Sequence, residues 1–573
     1  MKDSYDVVIL GGGLAGLCLG LQLSRQRPGT DILIAEKRKG PAPEAAFKVG
    51  ESTVEIAARY FGEVVGMKDH LESEQLHKAG LRYFFPAGDN TDIAQRVEWG
   101  VPFIPPVPSY QLDRGRFENA LAEANLAAGV EVLDGASVED VELSPDGHKV
   151  MIWHGEPTYT ASGEILTVSA RWVVDATGRA FTLKRKLDLL EDNGHVVNSA
   201  WLRLAGGIDI EEWVDPSDTA WFERMTERGI RRLSTNHMMG EGYWVWLIPL
   251  SSGAISIGIV ADEQFHPYEQ YKTLDGALDW IRKHEPQLGA VLDERRDQID
   301  DFLRVGNFSY GCKQVYSGDE RWCLVGEAGP FLDPFYSPGS DFIGMGNTLT
   351  GDLIRRDLDG EDVTERAKAH NDLLLNLYKN SLLWYEGQYG LWGDPQIMIA
   401  KIASNNIVYW STHCLLVFHE KLQEPEYMAQ VWPTIERFWQ LTEKLEAMFR
   451  DWIEIGAQER REAYVPTTGF PGMGLRHVEL VSGFDDAALK AKIEENLRLM
   501  ESVTVWIFHK AAESLGDQAP DHDTPINPYA ISLQPDRWEQ DGLFGDGGIT
   551  MDQAREVATG IDNLSIEAIA KPA

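Results

Sequence analysis

The run Gly11-Gly12-Gly13-Leu14-Ala15-Gly16 constrains this chain more than any other segment, because of what stands on either side of it. An apolar stretch from Tyr5 to Leu10 precedes it, a helical stretch from Leu14 to Gln26 follows, and a second apolar run from Asp31 to Ala35 ends at Glu36. A GxGxxG sequence between a strand and a helix predicts the βαβ opening of a parallel sheet built to hold a dinucleotide. Gly11, Gly13 and Gly16, with the small Ala15, allow a tight turn and let a pyrophosphate approach the free N–H groups of the helix. The carboxylate of Glu36 can accept hydrogen bonds from ribose hydroxyls. The motif alone leaves FAD and NAD both open.

The rest of the chain sets limits on what such a site can serve. The 573 residues are 43% hydrophobic and 25% charged, a folded globular balance rather than a fibrous or disordered one. A formal charge of −37 argues against nucleic acid and against an anionic membrane surface as partners, since both rely on Lys and Arg. Four widely spaced cysteines and fourteen histidines show no disulfide framework and no metal-ligand spacing. With no export signal or membrane-length apolar run in view, a cytoplasmic protein is expected.

Composition shifts predict three parts. Residues 1–363 read as a Rossmann-type α/β core carrying an inserted β-sheet region, with short strands alternating with turns from Leu81 to Asp301. The strand Trp322-Cys323-Leu324-Val325 and a helix from Ser340 to Arg356 bring that core to its end. Residues 364–515 read as mostly helical, and their many aromatics, among them Trp384, Trp392, Trp410 and Trp439, as helical core. Residues 516–573 form a Pro-, Gly- and Asp-rich tail with a last helix from Met551.

Three later segments select the cofactor. Arg171 to Arg179 (RWVVDATGR) and Trp322 to Gly329 (WCLVGEAG) resemble the second and third signatures of the FAD-dependent monooxygenase superfamily. The resemblance implies FAD, with Gly326 and Glu327 at the ribityl chain; Glu327 stands where the superfamily commonly has Asp. Gln111 to Phe117 (QLDRGRF) resembles the superfamily's Asp-Arg-x-x-Phe helix entry, in which Asp113 caps the helix and Arg114 reaches the flavin phosphates. No second strand–glycine–helix unit is found for a nicotinamide cofactor. Reduced flavin is therefore expected from a separate flavin reductase, or else NAD(P)H makes only a transient contact.

Within that superfamily three motifs resemble the flavin-dependent halogenases. Trp244-Val245-Trp246-Leu247-Ile248-Pro249 matches their WxWxIP, and a strand would put Trp244, Trp246 and Ile248 on one face. The family uses that wall to keep organic substrate away from the flavin. Lys78, in Lys78-Ala79-Gly80, matches the catalytic lysine that carries or polarises hypohalous acid. A haloamine route needs the neutral amine and a hydrogen-bonding route works with the ammonium; the sequence leaves both open. Phe331 to Gly339 (FLDPFYSPG) fits FxxPxxSxG, where Pro334 and Gly339 border the flavin and the N–H groups of Gly339 and Ser340 can seat a halide. Pro338 stands where the family usually has Ser or Thr and offers no N–H. Gly50-Glu51-Ser52-Thr53 resembles a family turn in which Glu51 positions a water or the lysine; the same segment also reads as the cap of a helix from Val54 to Tyr60.

The resemblance implies an FAD- and halide-dependent halogenase of phenols or pyrroles. Tyr336 occupies the segment where tryptophan halogenases carry the Glu that assists indole proton loss. A free small aromatic is favoured over one tethered to a carrier protein, because a chain at −37 repels acidic carriers. Two rivals remain at this stage: a flavin hydroxylase, oxidase or dehydrogenase on the same scaffold without halide use, and a flavin-binding redox sensor.

Overall fold

The computed structural model describes residues 1–44, 50–155, 164–456, 463–545 and 547–566. Residue 546 and the end of the tail, 567–573, lie outside the described residues. The βαβ opening forms as expected: strand Ser4–Leu10, helix Leu14–Gln26, strand Ile32–Glu36. Ser4–Leu10 is the middle strand of a parallel group, flanked by Ile32–Glu36 and by Glu164–Asp175, which in turn pairs with Trp322–Leu324. The register sets Leu10 beside Asp175 and Asp175 beside Leu324. The three glycine-bearing turns after these strands, about 150 residues apart in sequence, are thereby brought together at one carboxyl edge, where doubly wound sheets bind their ligands.

A second sheet of eight strands comes from the inserted region. Its order runs Ile299–Val305, Val197–Leu204, Ile255–Asp262, Tyr243–Pro249, Thr235–Gly240, Leu81–Phe84, Glu98–Gly100, Tyr464–Pro466. The last of these belongs to the C-terminal part and pairs in parallel with Glu98–Gly100, so that part contributes a strand as well as helices. The strand Tyr243–Pro249 is buried throughout and splits by parity. Trp244, Trp246 and Ile248 join the core shared with the nucleotide-binding sheet, while Tyr243, Val245 and Leu247 join the separate core of the insert.

Long helices Thr364–Leu382, Pro395–Tyr409, Pro425–Gly456 and Asp486–Ala512 close the other side. The helix expected from Ser340 starts two residues earlier and runs from Pro338 to Leu358, because proline fits the first helical position, where its missing N–H is no loss to the helix. In the tail, Met551–Val557 is helical as expected, and Ile526, Leu543 and Ile561 are buried against the helices. Among the described residues no helix is long and apolar enough to cross a membrane.

Candidate active site

The glycine turn is shaped by what cannot fit there. A Cβ on Gly16 would sit 2.1 Å from the carbonyl oxygen of Gly11, and one on Gly12 would sit 2.7 Å from Cβ of Glu36. Gly11 has φ +108°, which disfavours any L side chain. Gly13 meets nothing within 4 Å, so its bareness serves an incoming group rather than the fold. Glu36 accepts from Gly12 N at 2.7 Å and Arg38 N at 2.9 Å. From here a cavity of about 630 Å³ runs past Ala15, Arg114 and Gly178 to Glu327 and Trp246. Its length, its bare helix N-terminus and the acid at the second strand's end fit FAD. Glu327 pairs with Arg179 at 3.0 Å, joining the second and third glycine turns. Arg114 lies along this cavity and donates to Glu118 at 2.7 Å. Asp113 holds the N-cap position without a side-chain capping bond, so the expected capping role is not realised; its own N–H goes to Gln75 Oε1 at 2.7 Å.

At the inner end, a cavity of about 80 Å³ is bounded by Trp244, Trp246, His237, Pro334, Gly339 and Ser340. The two indoles lie 5.7 Å apart, centroid to centroid. Gly258 lies beside Trp246 in the neighbouring strand, and a Cβ there would be 2.1 Å from the indole ring, so the glycine is what lets the ring lie down on the sheet. Trp246 donates to Ser256 Oγ at 3.1 Å. Trp244 donates to Tyr389 Oη at 3.2 Å; Tyr389 donates to Asp333 Oδ2 at 2.5 Å; and His195 Nε2 lies 3.0 Å from the same carboxylate oxygen. That chain ties the tryptophan wall to the Phe331–Gly339 loop and to the helical part. None of Asp333, His195 and Tyr389 carries a sequence signal that would have joined them. Burial holds the His237 imidazole down at about 3, so it is neutral there.

Beyond the loop lies a second cavity of about 180 Å³, lined by Lys78, Tyr83, Trp99, Tyr336, Asp341, Trp384, Asn405, Tyr409 and Trp410. Trp384 and Trp410, read from sequence as core, form part of its wall. Its lining also includes the apolar Phe103, Pro105, Met473 and Val478, of which Phe103 and Val478 are exposed. Pro338 faces both this cavity and the inner one. Tyr336 accepts from Asn405 Nδ2 at 3.2 Å.

Lys78 is 1% exposed, and its Nζ donates to Ser52 Oγ at 2.8 Å and to the Thr53 carbonyl at 2.7 Å. Burial brings its pKa down to about 7 against the pull of Glu55 and Asp341. Ser52 Oγ also lies 2.9 Å from Thr235 Oγ1 and 2.9 Å from Ser337 Oγ. Ser337, at φ +59°, turns the chain into the helix that starts at Pro338. Glu51, by contrast, pairs with Arg203 and is away from the lysine's hydrogen bonds; burial raises its pKa, opposed by Arg203. The expected cap for the following helix is also absent: Ser52 bonds Lys78 and Thr53 bonds Tyr110, and the helix Glu55–Arg59 has no cap of its own. Its Ala57 N–H is taken at 2.8 Å by Asp341, from the other side of the cavity.

Comparisons with known proteins agree with this arrangement. Residues 4–255 match the model of the FAD binding domain family. A flavin-dependent halogenase, chlA, of Dictyostelium discoideum is 28% identical over 439 residues, 71% of this chain and 70% of that protein. A 1H-pyrrole-2-carbonyl-[peptidyl-carrier protein] brominase of Pseudoalteromonas luteoviolacea is 28% identical over 374 residues, 64% of this chain and 82% of that protein. In fold, the crystal structure of halogenase PltM in complex with phloroglucinol and FAD superposes with a TM-score of 0.60 at 17% identity, covering 87% of this chain and 96% of that one.

The cleft and these matches define an FAD-binding flavoenzyme with an inserted substrate sheet. Within that class the chain is similar to flavin-dependent halogenases, and FAD is the cofactor its binding domain is built for.

Proposed function

We propose that this flavoenzyme is a halogenase of an electron-rich phenol or pyrrole, with Lys78 directing the halogen. The observation that carries the reading is the placement of the Lys78 amine: buried, in a cavity lined by aromatic side chains, with the Phe331–Gly339 loop between it and the inner cavity that Trp244 and Trp246 bound. Reduced FAD, when bound, supplies hypohalous acid from oxygen and halide. Gly11, Gly13, Ala15, Gly16, Glu36 and Arg114 hold the nucleotide end, and Gly326, Glu327, Pro334 and Gly339 border the flavin ring. The N–H groups of Gly339 and Ser340 seat the halide at the helix N-terminus. Trp244 and Trp246 keep the organic substrate out of the inner cavity, so the diffusible oxidant meets carbon only beside Lys78. Ser52 and the Thr53 carbonyl orient the amine toward the cavity. Glu51 acts on the flavin side of the site through its pair with Arg203.

A compact phenol or pyrrole suits a cavity of about 180 Å³ whose polar inner end is Tyr336 with Asn405. The fold relative PltM was crystallised with phloroglucinol, a phenol, and the Pseudoalteromonas relative is named for a carrier-bound pyrrole. Charge favours a free substrate over a carrier-bound one here. The reading further takes a separate reductase as the source of reduced flavin, a cytoplasmic setting, and a division into a core over 1–363, a helical part over 364–515 and a tail.

Purified protein with FAD, a generic flavin reductase, NADH and bromide, assayed on a phenol and pyrrole panel by mass spectrometry, tests the reading. Brominated product from the parent and none from Lys78→Ala is expected. Hydroxylated product instead would favour a monooxygenase that had lost halide use through Pro338.

A further inference from the structure

Tyr336 leaves the substrate cavity without a carboxylate at the place where tryptophan halogenases have one. A carboxylate nevertheless reaches that cavity from the first turn of the helix Pro338–Leu358, at Asp341. Asp341 is 2% exposed, its Oδ1 accepts from Ala57 N at 2.8 Å, and its Oδ2 accepts from Tyr409 Oη at 2.5 Å. Tyr409 in turn receives Ile56 N at 3.4 Å. A carboxylate has about four acceptor sites, so two fixed bonds orient the group and leave acceptor capacity toward the cavity.

Resting on the halogenase reading above, we infer that Asp341 is a catalytic residue: it accepts a hydrogen bond from the substrate's phenolic O–H or pyrrolic N–H and takes that proton as the ring attacks. The step balances within the cavity. The ring carbon forms its bond to halogen while the halogen–oxygen bond of hypohalous acid breaks; the departing hydroxide takes a proton from the Lys78 ammonium and leaves as water. The substrate's O–H or N–H proton passes to Asp341, and the halogenated ring regains aromaticity by losing its C–H proton to water. Lys78 ends neutral and Asp341 protonated, the uncharged form that burial favours for both groups, and transfer of that proton from Asp341 back to Lys78 regenerates the less populated ion pair in which the next ring reacts.

The electrostatics support this division of work. Burial raises the Asp341 carboxyl to about 8, with Tyr409 and the Ala57 N–H pulling the other way, which makes it a far stronger proton acceptor than an exposed aspartate. The charged and titratable groups around it are Lys78, Glu55 and Tyr409, with Tyr385 and Cys414, both pushed up by burial, and with His477 behind Glu55 at 3.1 Å. Burial alone would raise Glu55, but the hydrogen bond from His477 outweighs it and lowers the carboxyl, so Glu55 stays ionised and takes no proton from the pair.

Asp341→Asn is the test, because its amide oxygen still accepts from Ala57 N and the fold is kept. Parent and variant are given FAD, reductase, NADH, bromide and resorcinol, with taurine in parallel to trap free hypobromite. Resorcinol binding to the oxidised holoenzyme is measured separately by calorimetry. Expected are a fall of about 10²-fold in bromoresorcinol turnover relative to the taurine bromamine formed alongside it, and several-fold weaker resorcinol binding. Turnover and binding within about threefold of the parent would overturn the assignment. If the parent makes hypobromite but no bromoresorcinol, or makes neither and so fails as a halogenase, binding alone decides: weaker binding in the variant sustains the contact, and equal binding overturns it.

Discussion

Lys78 Nζ donates to Ser52 Oγ at 2.8 Å, and that same hydroxyl lies 2.9 Å from Ser337 Oγ, in the loop that divides the two cavities. The Lys78 amine of the second cavity is thus fastened to the loop that divides that cavity from the inner one. Movement of either is felt by the other, and several outcomes rest on this coupling.

Lys78→Met keeps the stem and removes the amine. Halogenated product should fall by at least about 10²-fold, while hypohalite trapped in solution persists. Its effect on stability has a definite sign. The folded-state pKa, about 7, lies below the ordinary 10.5, so between these values the unfolded chain holds a proton that the folded chain has released. Parental stability therefore gains with rising pH across that window from this residue. The difference in melting temperature between parent and variant, taken at pH 7 and pH 9, should shift in the parent's favour at pH 9.

Asp341 has the opposite sign. Raised from 3.8 to about 8, it keeps a proton in the folded chain that the unfolded chain has lost. Its contribution to stability is present below about pH 4 and falls away as pH climbs to about 8. Asp341→Asn should flatten that stretch of the melting-temperature profile.

Tyr389→Phe cuts the link between Trp244 and Asp333. The buried Trp244 N–H loses its partner, at a cost of about 1–3 kcal/mol, visible in chemical denaturation, while Asp333 keeps His195. With the indole no longer tethered, hydrogen peroxide release per NADH should rise relative to product, read in a coupled oxidation assay.

Pro338→Ser adds one N–H at the start of the helix. A hydrogen bond to a charged group is worth about 1.5–3 kcal/mol, so the bromide KM should drop by about tenfold or more if the halide sits against Gly339 and Ser340. An unchanged KM would move the halide elsewhere.

Gly13→Ala separates fold from cofactor. Nothing in the protein lies within 4 Å of the added Cβ and the residue's φ is −84°, so the apoprotein should melt as the parent does. FAD affinity, followed by flavin fluorescence, should weaken at least about tenfold because the pyrophosphate approaches that face.

How much of this could be read from sequence depended on whether order along the chain encodes the contact. The face shared by Trp244 and Trp246 was legible because strand alternation leaves no other choice. The glycine turn and Glu36 were legible because one βαβ unit supplies them all. Lys78 could be singled out only through its motif, and its hydroxyl partner Ser52 is 26 residues away. Asp341 was not legible at all. Its setting is made by Ala57 and Tyr409, which only the closure of the helical part over the core brings together. Asp113 shows the reverse error: its position suits a cap, but its side chain makes no capping bond.

The partition built on Pro338 makes the catalyst a device that depends on timing. On the proposed reading, a reagent produced in one chamber and spent in the next must outlive its passage, and every molecule that leaks outward is reducing power lost. Yield is therefore governed less by how tightly the aromatic is gripped than by how short the passage is and how few exits it has. Evolution of new selectivity in this scaffold can proceed by reshaping the far chamber alone, leaving the chamber where the oxidant is made untouched.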